Sequence, residues 1–249
     1  MIGKSAKVLT VFEGKVNADD LEVGTLVYSF DPIAKVPAVA AITKKEFYYT
    51  ETPLIWVLFD SGLLVPVQPE HEFVHFHGQR IPAMDLKPGM SIRAFSMSQH
   101  RGDGHYRVHG WVNGVAKHKY VARLIWEYYH GPVPFGMIIH HIDFSKTNND
   151  IKNLELVDQT EHNRLHYPYR ADGGFKRYNP TRNHKVVNIM GSGDEDSDGI
   201  GNIETGPGCY IFEMDKYNIF VLSDPVPVSG IESGVLTYCD TVPSFSAIS

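Results

Sequence analysis

Four histidines in the middle of the chain have the types and spacing of residues that could bind a metal ion. His140 and His141 are adjacent, and His162 and His166 follow at an i, i+4 separation. Residues at i and i+4 share one helix face, and neutral imidazoles are common ligands of divalent metals. The stretch "MIIHHI" has an extended pattern, so its two histidines should face opposite sides of a strand. One of them could bind a metal while its neighbour faces a substrate.

The same residues suit the hydrolysis of a phosphodiester. With His140, His162 and His166 on the ion, positions remain for water and for a phosphate oxygen. The reaction needs an activated water and a cation that offsets the developing charge. A histidine titrates near neutral pH and can act as the general base. The alternative interpretation is that all four are surface or capping histidines.

Two helices and many short strands are predicted to position these residues. "HKYVARLIWEYYHG" has apolar residues at helical spacing and ends at a glycine, and "QTEHNRLHYPY" stops before Pro168. Residues 1–95 alternate in short runs such as "KVLTVF" and "EFVHFH", and strand patterns return from "HKVVNIM". Residues 171–183 have the composition of a linker. The tail from Pro225 is low in charge and rich in Ser and Pro, which predicts a loosely held terminus.

The uneven charge of the chain favours a nucleic-acid contact in its middle. The net charge is −6, but residues 101–185 carry 13 Lys and Arg against 8 Asp and Glu, which gives +5. The remainder carries 10 against 21, which gives −11. Such asymmetry is typical of a local DNA contact, although a solvated basic surface would look the same. The candidate DNA-binding residues are Arg123, Lys146, Arg164, Lys176, Arg177 and Arg182.

The composition excludes several other classes of protein. Cys209 and Cys239 are the two cysteines, so there is neither a disulfide framework nor a CxxC metal site. The longest apolar run, "LIWVLF", is too short to cross a bilayer, and no signal pattern opens the chain. The composition therefore predicts a soluble intracellular protein with no membrane contact.

The segment from about His118 to Tyr167 resembles the HNH family of metal-dependent nucleases. The resemblance rests on "VARLIWEYYHGPVPFGMIIHHID" and "NNDIKNLELV". It implies that His141 is the general base, that His140, His162 and His166 are the metal ligands, and that Asn153 bridges the two halves of the motif and helps to orient His141. It also implies one divalent ion, with Mg²⁺ expected and Mn²⁺, Zn²⁺ or Ni²⁺ as alternatives, since imidazole suits the transition metals.

The flanking segments resemble inteins and related self-processing (Hint) domains. The resemblance rests on the opening "MIGKSAKVLTVFEGKVNADDLEVGTLVYSFD", on "VQPEHEFVHFHGQRIPAMDLKPG" with His71 at the catalytic histidine position, and on "CYIFEMDKYNIFVLSD". Splicing begins with a Cys or Ser nucleophile, and Met1 stands at that position here. Residues 219–249 contain no Asn or Gln for the terminal cyclisation. Met1 and His71 are therefore interpreted as vestigial splicing residues.

These patterns together predict a mainly β protein in three parts. Residues 1–97 and 184–249 form an intein-like β-rich body, and residues 98–183 form an α+β HNH nuclease insert. The predicted function is a homing-type DNA endonuclease on a scaffold that no longer splices. The alternative is a self-processing protein with an incidental or inactive nuclease, and a third interpretation is a DNA-binding module with a structural metal.

Overall fold

The computed structural model describes residues 1–50, 52–112, 115–166, 186–191, 208–223 and 231–239. Lys176, Arg177 and Arg182 lie outside the described residues, as does the predicted linker at 171–183. Within the described ranges the fold is dominated by strands, numbered β1 to β18 in chain order, with two α-helices. The expectation of a mainly β protein is confirmed.

The first large sheet joins the beginning of the chain to its later strands. Its strands lie in the spatial order β15 (Val186–Gly191), β6 (Ile55–Phe59), β7 (Leu64–Val67), β1 (Ile2–Gly3), β16 (Cys209–Met214), β5 (Val36–Tyr48) and β4 (Leu26–Asp31). All of these pairs are antiparallel. The predicted strands at "HKVVNIM" and "CYIFEM" therefore return to the sheet begun by residues 1–95.

The second large sheet includes strands from the insert as well as from the body. Its main order is β12 (Val115–Tyr120), β11 (Tyr106–Val112), β10 (Ala94–Gln99), β18 (Ile231–Tyr238), β17 (Ile219–Ser223), β2 (Lys7–Leu9) and β3 (Lys15–Asn17). Two further strands, β8 (Glu72–Val74) and β9 (Arg80–Pro82), pair beside β18. Since β11 and β12 extend a sheet of the body, the insert continues the body's hydrogen bonding. The predicted boundaries at 97/98 and 183/184 stay predictions.

The prediction of a loosely held segment from Pro225 onward is wrong for residues 231–239, and the rest of that segment lies outside the described residues. The composition after Pro225 predicts a loosely held segment, yet β18 pairs with β10 on one side and with β17 on the other. Residues 234–238 of β18 and the following Cys239 are buried. A central strand buried on both faces needs no charged residues, so low charge here marks a core strand instead of a mobile tail.

The insert contributes a small ribbon and two helices. Strands β13 (Met137–His141) and β14 (Leu154–Asp158) pair antiparallel, with His140 opposite Glu155 and His141 opposite Leu154. A short 3₁₀ helix, Ile151–Asn153, precedes β14, and another, Ala83–Asp85, follows β9. Helix α2 (Gln159–Leu165) follows β14 directly, and helix α1 (Val121–His130) follows β12. Both predicted helices are therefore present.

The apolar face of α1 packs into a core that the body and the insert share. Val121, Leu124 and Ile125 of α1 are buried in one cluster with Tyr28 and Phe95 of the body. Leu154 of β14 lies in the same cluster. The helix ends at Gly131, whose φ of 82° is a conformation that glycine adopts without strain. The body therefore fixes the orientation of the helix that precedes β13.

A separate core fills the body itself. Phe59, Phe73 and Phe220 are almost completely buried there, beside the aliphatic side chains of both large sheets. Burial of each such aromatic side chain contributes about 1.5–3 kcal/mol. No helix among the described ranges is long and apolar enough to cross a membrane.

Candidate active site

Strand β13 presents its two histidines to different surroundings, as the alternation of strand side chains requires. Both are buried, with 2% of His140 and 4% of His141 exposed. The His140 ring contacts the rings of His162 and His166, whereas the His141 ring contacts that of His105. The prediction that the adjacent pair faces opposite ways is confirmed by these contacts.

Three histidines converge from β13 and α2. The candidate ligand nitrogens of His140, His162 and His166 all lie within 4.8 Å of one another. The Asp158 side chain accepts a hydrogen bond from the Glu161 N–H and caps α2, which places His162 and His166 one turn apart on the face toward β13. Among the described residues, the buried Nδ1 of His140 has no hydrogen-bond partner. An unpaired buried nitrogen is costly unless it serves another purpose, and metal ligation is such a purpose.

The surroundings of the cluster favour neutral imidazoles. Burial lowers the pKa of His140, and burial together with His166 and His140 lowers that of His162. Burial and His140 also lower the pKa of His166. The neutral form is the one that binds a metal. The donor set therefore fits a divalent cation, and the assignment of these residues as ligands stays a prediction.

The His141 side chain is hydrogen-bonded to Asn149, which the sequence did not single out for this role. Nε2 of His141 lies 3.0 Å from Oδ1 of Asn149. An amide oxygen can only accept a hydrogen bond, so Nε2 carries the proton and Nδ1 is the nitrogen that can accept one. Asn149 thus sets both the orientation and the tautomer of His141.

Asn153 bridges the two halves of the motif, but it acts on the loop instead of on His141 directly. Its Oδ1 accepts from the Asp143 N–H at 3.0 Å, and its Nδ2 donates to Asp143 Oδ1 and to the Asn148 carbonyl. Its own carbonyl accepts from the Ile142 N–H. These bonds close the loop between β13 and β14 that carries Asn149. The orienting role of Asn153 stays a prediction, and these contacts fit an indirect one, through the loop.

A fifth histidine reaches the site from the second sheet. The ring centroids of His105 and His141 lie 5.2 Å apart, and the centroid of the Tyr120 ring lies 5.5 Å from that of His105. Burial, followed by the neighbouring His141, lowers the pKa of His105 to about 4, so its ring is neutral at neutral pH. His105 precedes β11 and is far from the motif in sequence, so spacing alone gave no signal of this contact.

The described basic candidates differ in their availability to DNA. Arg123 is paired with Glu127, and the exposed Arg164 is held by both carboxylate oxygens of Glu161. Lys146 is exposed, and its charge contributes to lowering the pKa of His162 and of His166, so it lies beside the cluster. Of the three described candidates, Lys146 is the one whose charge acts on His162 and His166.

The nitrogen of Met1 lies against His71 in the body, 3.3 Å from its Nδ1. His71 is 1% exposed, and this burial lowers its pKa well below the usual value. The residue that faces the buried histidine therefore bears a thioether side chain instead of a hydroxyl or a thiol.

Comparison with known proteins agrees with this geometry. The family model described as HNH endonuclease matches residues 119–164. The protein YosQ of Bacillus subtilis (strain 168), named as a proposed SPbeta prophage-derived HNH homing endonuclease, is 46% identical over 46 residues. That match covers 18% of this chain and 26% of the relative, so the chain spans about a quarter of the length of that curated relative.

Solved structures resemble the chain over nearly its whole length. The G-1F mutant of the Ssp DnaB mini-intein variant M86 has a TM-score of 0.51 at 8% identity and covers 96% of this chain and 98% of its own. The DnaB intein from Synechocystis sp. PCC 6803 has a TM-score of 0.48 at 7% identity, with the same shares covered. The first of these structures shows that the chain has the intein fold. Residues 119–164 are therefore similar to HNH endonucleases, and the chain in which they lie has the intein fold.

Proposed function

We propose that the chain is a metal-dependent, homing-type DNA endonuclease carried on an intein-like scaffold that does not splice. The observation that carries the proposal is the arrangement around β13. Three imidazoles converge on one side of the strand, and His141, held by Asn149, lies apart from them. This separates a metal-binding group from a proton-accepting group, as phosphodiester hydrolysis requires.

His140, His162 and His166 would hold the ion. A divalent cation bound there would supply positive charge to offset the charge that develops on the phosphate. The family resemblance implies Mg²⁺ first, but this group contains only imidazoles, and Mg²⁺ prefers oxygen ligands. The donor set favours Mn²⁺, Zn²⁺ or Ni²⁺.

His141 would act as the general base toward the attacking water. Its Nε2 is held by the Asn149 amide, which leaves Nδ1 to accept the proton. The ring is buried between the loop and His105, so its position is fixed before substrate binds. Fixed geometry reduces the entropic part of the activation barrier.

Double-stranded DNA is the proposed partner because of the charge distribution and the family. The +5 charge of residues 101–185 contrasts with −11 elsewhere, and Lys146 stands beside the cluster. Binding through phosphate groups should weaken steeply with salt. Reversal of the charges at Lys176, Arg177 and Arg182 should lower the salt slope by about one for each phosphate that the chain no longer neutralises.

The proposal that the body does not splice rests on the residue beside His71. An acyl shift needs a nucleophilic heteroatom, and the thioether of Met1 is not one. We keep the self-processing protein with an incidental nuclease as the second candidate, because the intein fold and a buried His71 are both present. A fusion of the chain between two foreign proteins decides between them by mass. Unligated, uncut fusion is expected, and any ligated flanking product contradicts it.

A nicking assay tests the nuclease. Supercoiled plasmid is incubated with the purified chain and each of Mg²⁺, Mn²⁺, Zn²⁺ and Ni²⁺, with excess EDTA as the control. Nicking or linearisation is expected with at least one ion and none with EDTA. Undiminished cleavage in EDTA excludes metal dependence. If the chain binds DNA but cleaves it with none of the four ions, the third interpretation remains, namely a DNA-binding module with a structural metal.

A further inference from the structure

A cleft lies between the body and the loop that carries Asn149. Its volume is about 370 Å³, within the range of about 300–1,000 Å³ that small-molecule sites occupy. The body supplies Phe12 and Tyr28, Tyr106 of the insert lies beside them, and residues 147–150 of the insert form the opposite wall. We call this space the Phe12 cleft.

Phe12 is exposed although the turn that bears it is held in place by hydrogen bonds. Its side chain is 56% exposed, although the turn that bears it is firmly held. The Thr10 hydroxyl and N–H both donate to the Gly14 carbonyl, at 2.9 and 2.7 Å, and the Val11 N–H donates to the Leu26 carbonyl at 2.8 Å. The turn between β2 and β3 therefore presents an aromatic ring to the cleft at a fixed position.

The opposite wall is polar and equally well held. The Asn148 carbonyl accepts from Asn153 Nδ2 at 2.9 Å, and Asp150 Oδ1 accepts from the Lys152 N–H at 2.9 Å. Asn149 lines the cleft and also contacts His141 at 3.0 Å. Asn149 thus connects the Phe12 cleft with His141, the residue proposed to activate water.

The chemistry of the two walls indicates the kind of ligand. The aromatic Phe12 on one side and the polar residues 147–150 on the other match a planar ring with a polar edge. Asp150 is among the residues that line the cleft, and its negative charge would repel a phosphate, whereas a carboxylate can accept a hydrogen bond from an amino group. A nucleobase has such a ring and such an edge, and aromatic side chains stack on every base.

We propose that the Phe12 cleft receives one nucleobase of DNA, turned out of the double helix, beside the phosphodiester that His141 addresses. The inference rests on the proposed function, since it takes DNA as the substrate. It assigns the intein-like body a direct part in DNA recognition, through an aromatic residue outside the nuclease motif. Turning a base out of a duplex is easiest where it is unpaired. Duplexes with a mismatched bubble should therefore bind more tightly than fully paired ones.

The test measures binding by fluorescence anisotropy in EDTA, so that cleavage does not interfere. The probes are two labelled random-sequence duplex pools, one fully paired and one with a central mismatched bubble. The variants are Phe12→Leu, which keeps apolar bulk without a ring, and Phe12→Trp, which restores a ring. Tyr49→Leu is the matched control, because Tyr49 is 82% exposed on the body and does not line the cleft.

Phe12→Leu should weaken binding to the bubble pool about 5- to 150-fold, the range for the loss of one stacked base. Phe12→Trp should bind like the wild type, and Tyr49→Leu should leave binding unchanged. The preference for the bubble pool should disappear in Phe12→Leu alone. Equal binding by the wild type and Phe12→Leu overturns the inference, as does a wild type that binds neither pool.

A plasmid cleavage assay distinguishes failure of the inference about the Phe12 cleft from failure of the proposed nuclease function. If the wild type nicks plasmid DNA while Phe12→Leu binds both pools normally, the inference fails and the proposed function stands. If the wild type never cleaves but Phe12→Leu loses the bubble preference, the nuclease proposal fails and the cleft stands. Circular dichroism of Phe12→Leu checks the fold, and its exposed position makes a large loss of stability unexpected.

Discussion

Replacement of His141 by alanine tests whether the two sides of β13 have separate tasks. The ring lies away from the three converging imidazoles, and its hydrogen bond goes to Asn149. His141→Ala should therefore bind a divalent ion as the wild type does. The loss of a general base should lower the cleavage rate by about 10²- to 10⁴-fold.

His162→Ala should behave in the opposite way. It removes one of three ligand atoms that lie within 4.8 Å of one another. Loss of an outer partner of a metal ligand costs about 10–100-fold in metal affinity, so loss of the ligand itself should exceed that range. Cleavage should fall together with metal binding, because both depend on the same group.

Calorimetric titration with Mn²⁺ and a plasmid nicking time course measure the two properties separately. His77→Ala is the control, since this exposed histidine of the body should affect neither. Lost metal binding in His141→Ala would require the roles of His140 and His141 to be exchanged. Wild-type metal affinity in His162→Ala would refute the assignment of the cluster.

Three further predictions concern the neighbours of the site. Asn149→Ala removes a hydrogen bond worth about 0.5–1.5 kcal/mol, so the rate at saturating DNA should fall about 2- to 10-fold while metal affinity, measured by calorimetry, stays unchanged. Burial lowers the pKa of His105 from 6.5 to about 4, so the stability that its neutral ring provides is complete above pH 6.5 and is lost as the pH falls toward 4. Thermal unfolding of the wild type should therefore show a steeper loss over that interval than unfolding of His105→Gln, and parallel curves would contradict this. Leu124→Ala should cost about 2–5 kcal/mol in urea unfolding, because the side chain is 3% exposed in the shared core, and a loss below about 1 kcal/mol would show that the core is not shared as described.

Local periodicity predicted most of the elements that carry the site. The i, i+4 pair in "QTEHNRLH" placed His162 and His166 on one face of α2, and the alternation in "MIIHHI" placed His140 and His141 on different sides. These patterns are local, so neighbouring residues are enough to read them.

Interactions between distant parts of the chain could not be read in this way. His105 meets His141 because the second sheet carries the loop before β11 to the ribbon, and no spacing rule connects the two positions. Low charge misled the prediction for β18, since a strand covered on both faces and a polar tail both lack charges. The hydrogen bond between Asn149 and His141 could not be predicted either, because it depends on a loop conformation that is held by hydrogen bonds of Asn153.

The shared core around α1 has a consequence for the history of such a chain. Leu124 and Ile125 of the insert pack with Tyr28 and Phe95 of the body, so removal of the body would expose the apolar face on which the helix depends. Under the proposed function, selection for DNA cleavage preserves the body's buried residues even after splicing is lost. Substitutions should then accumulate where splicing once acted, while Tyr28 and Phe95 remain aromatic. An intein-like body that once excised itself would then be retained because the nuclease insert packs against it.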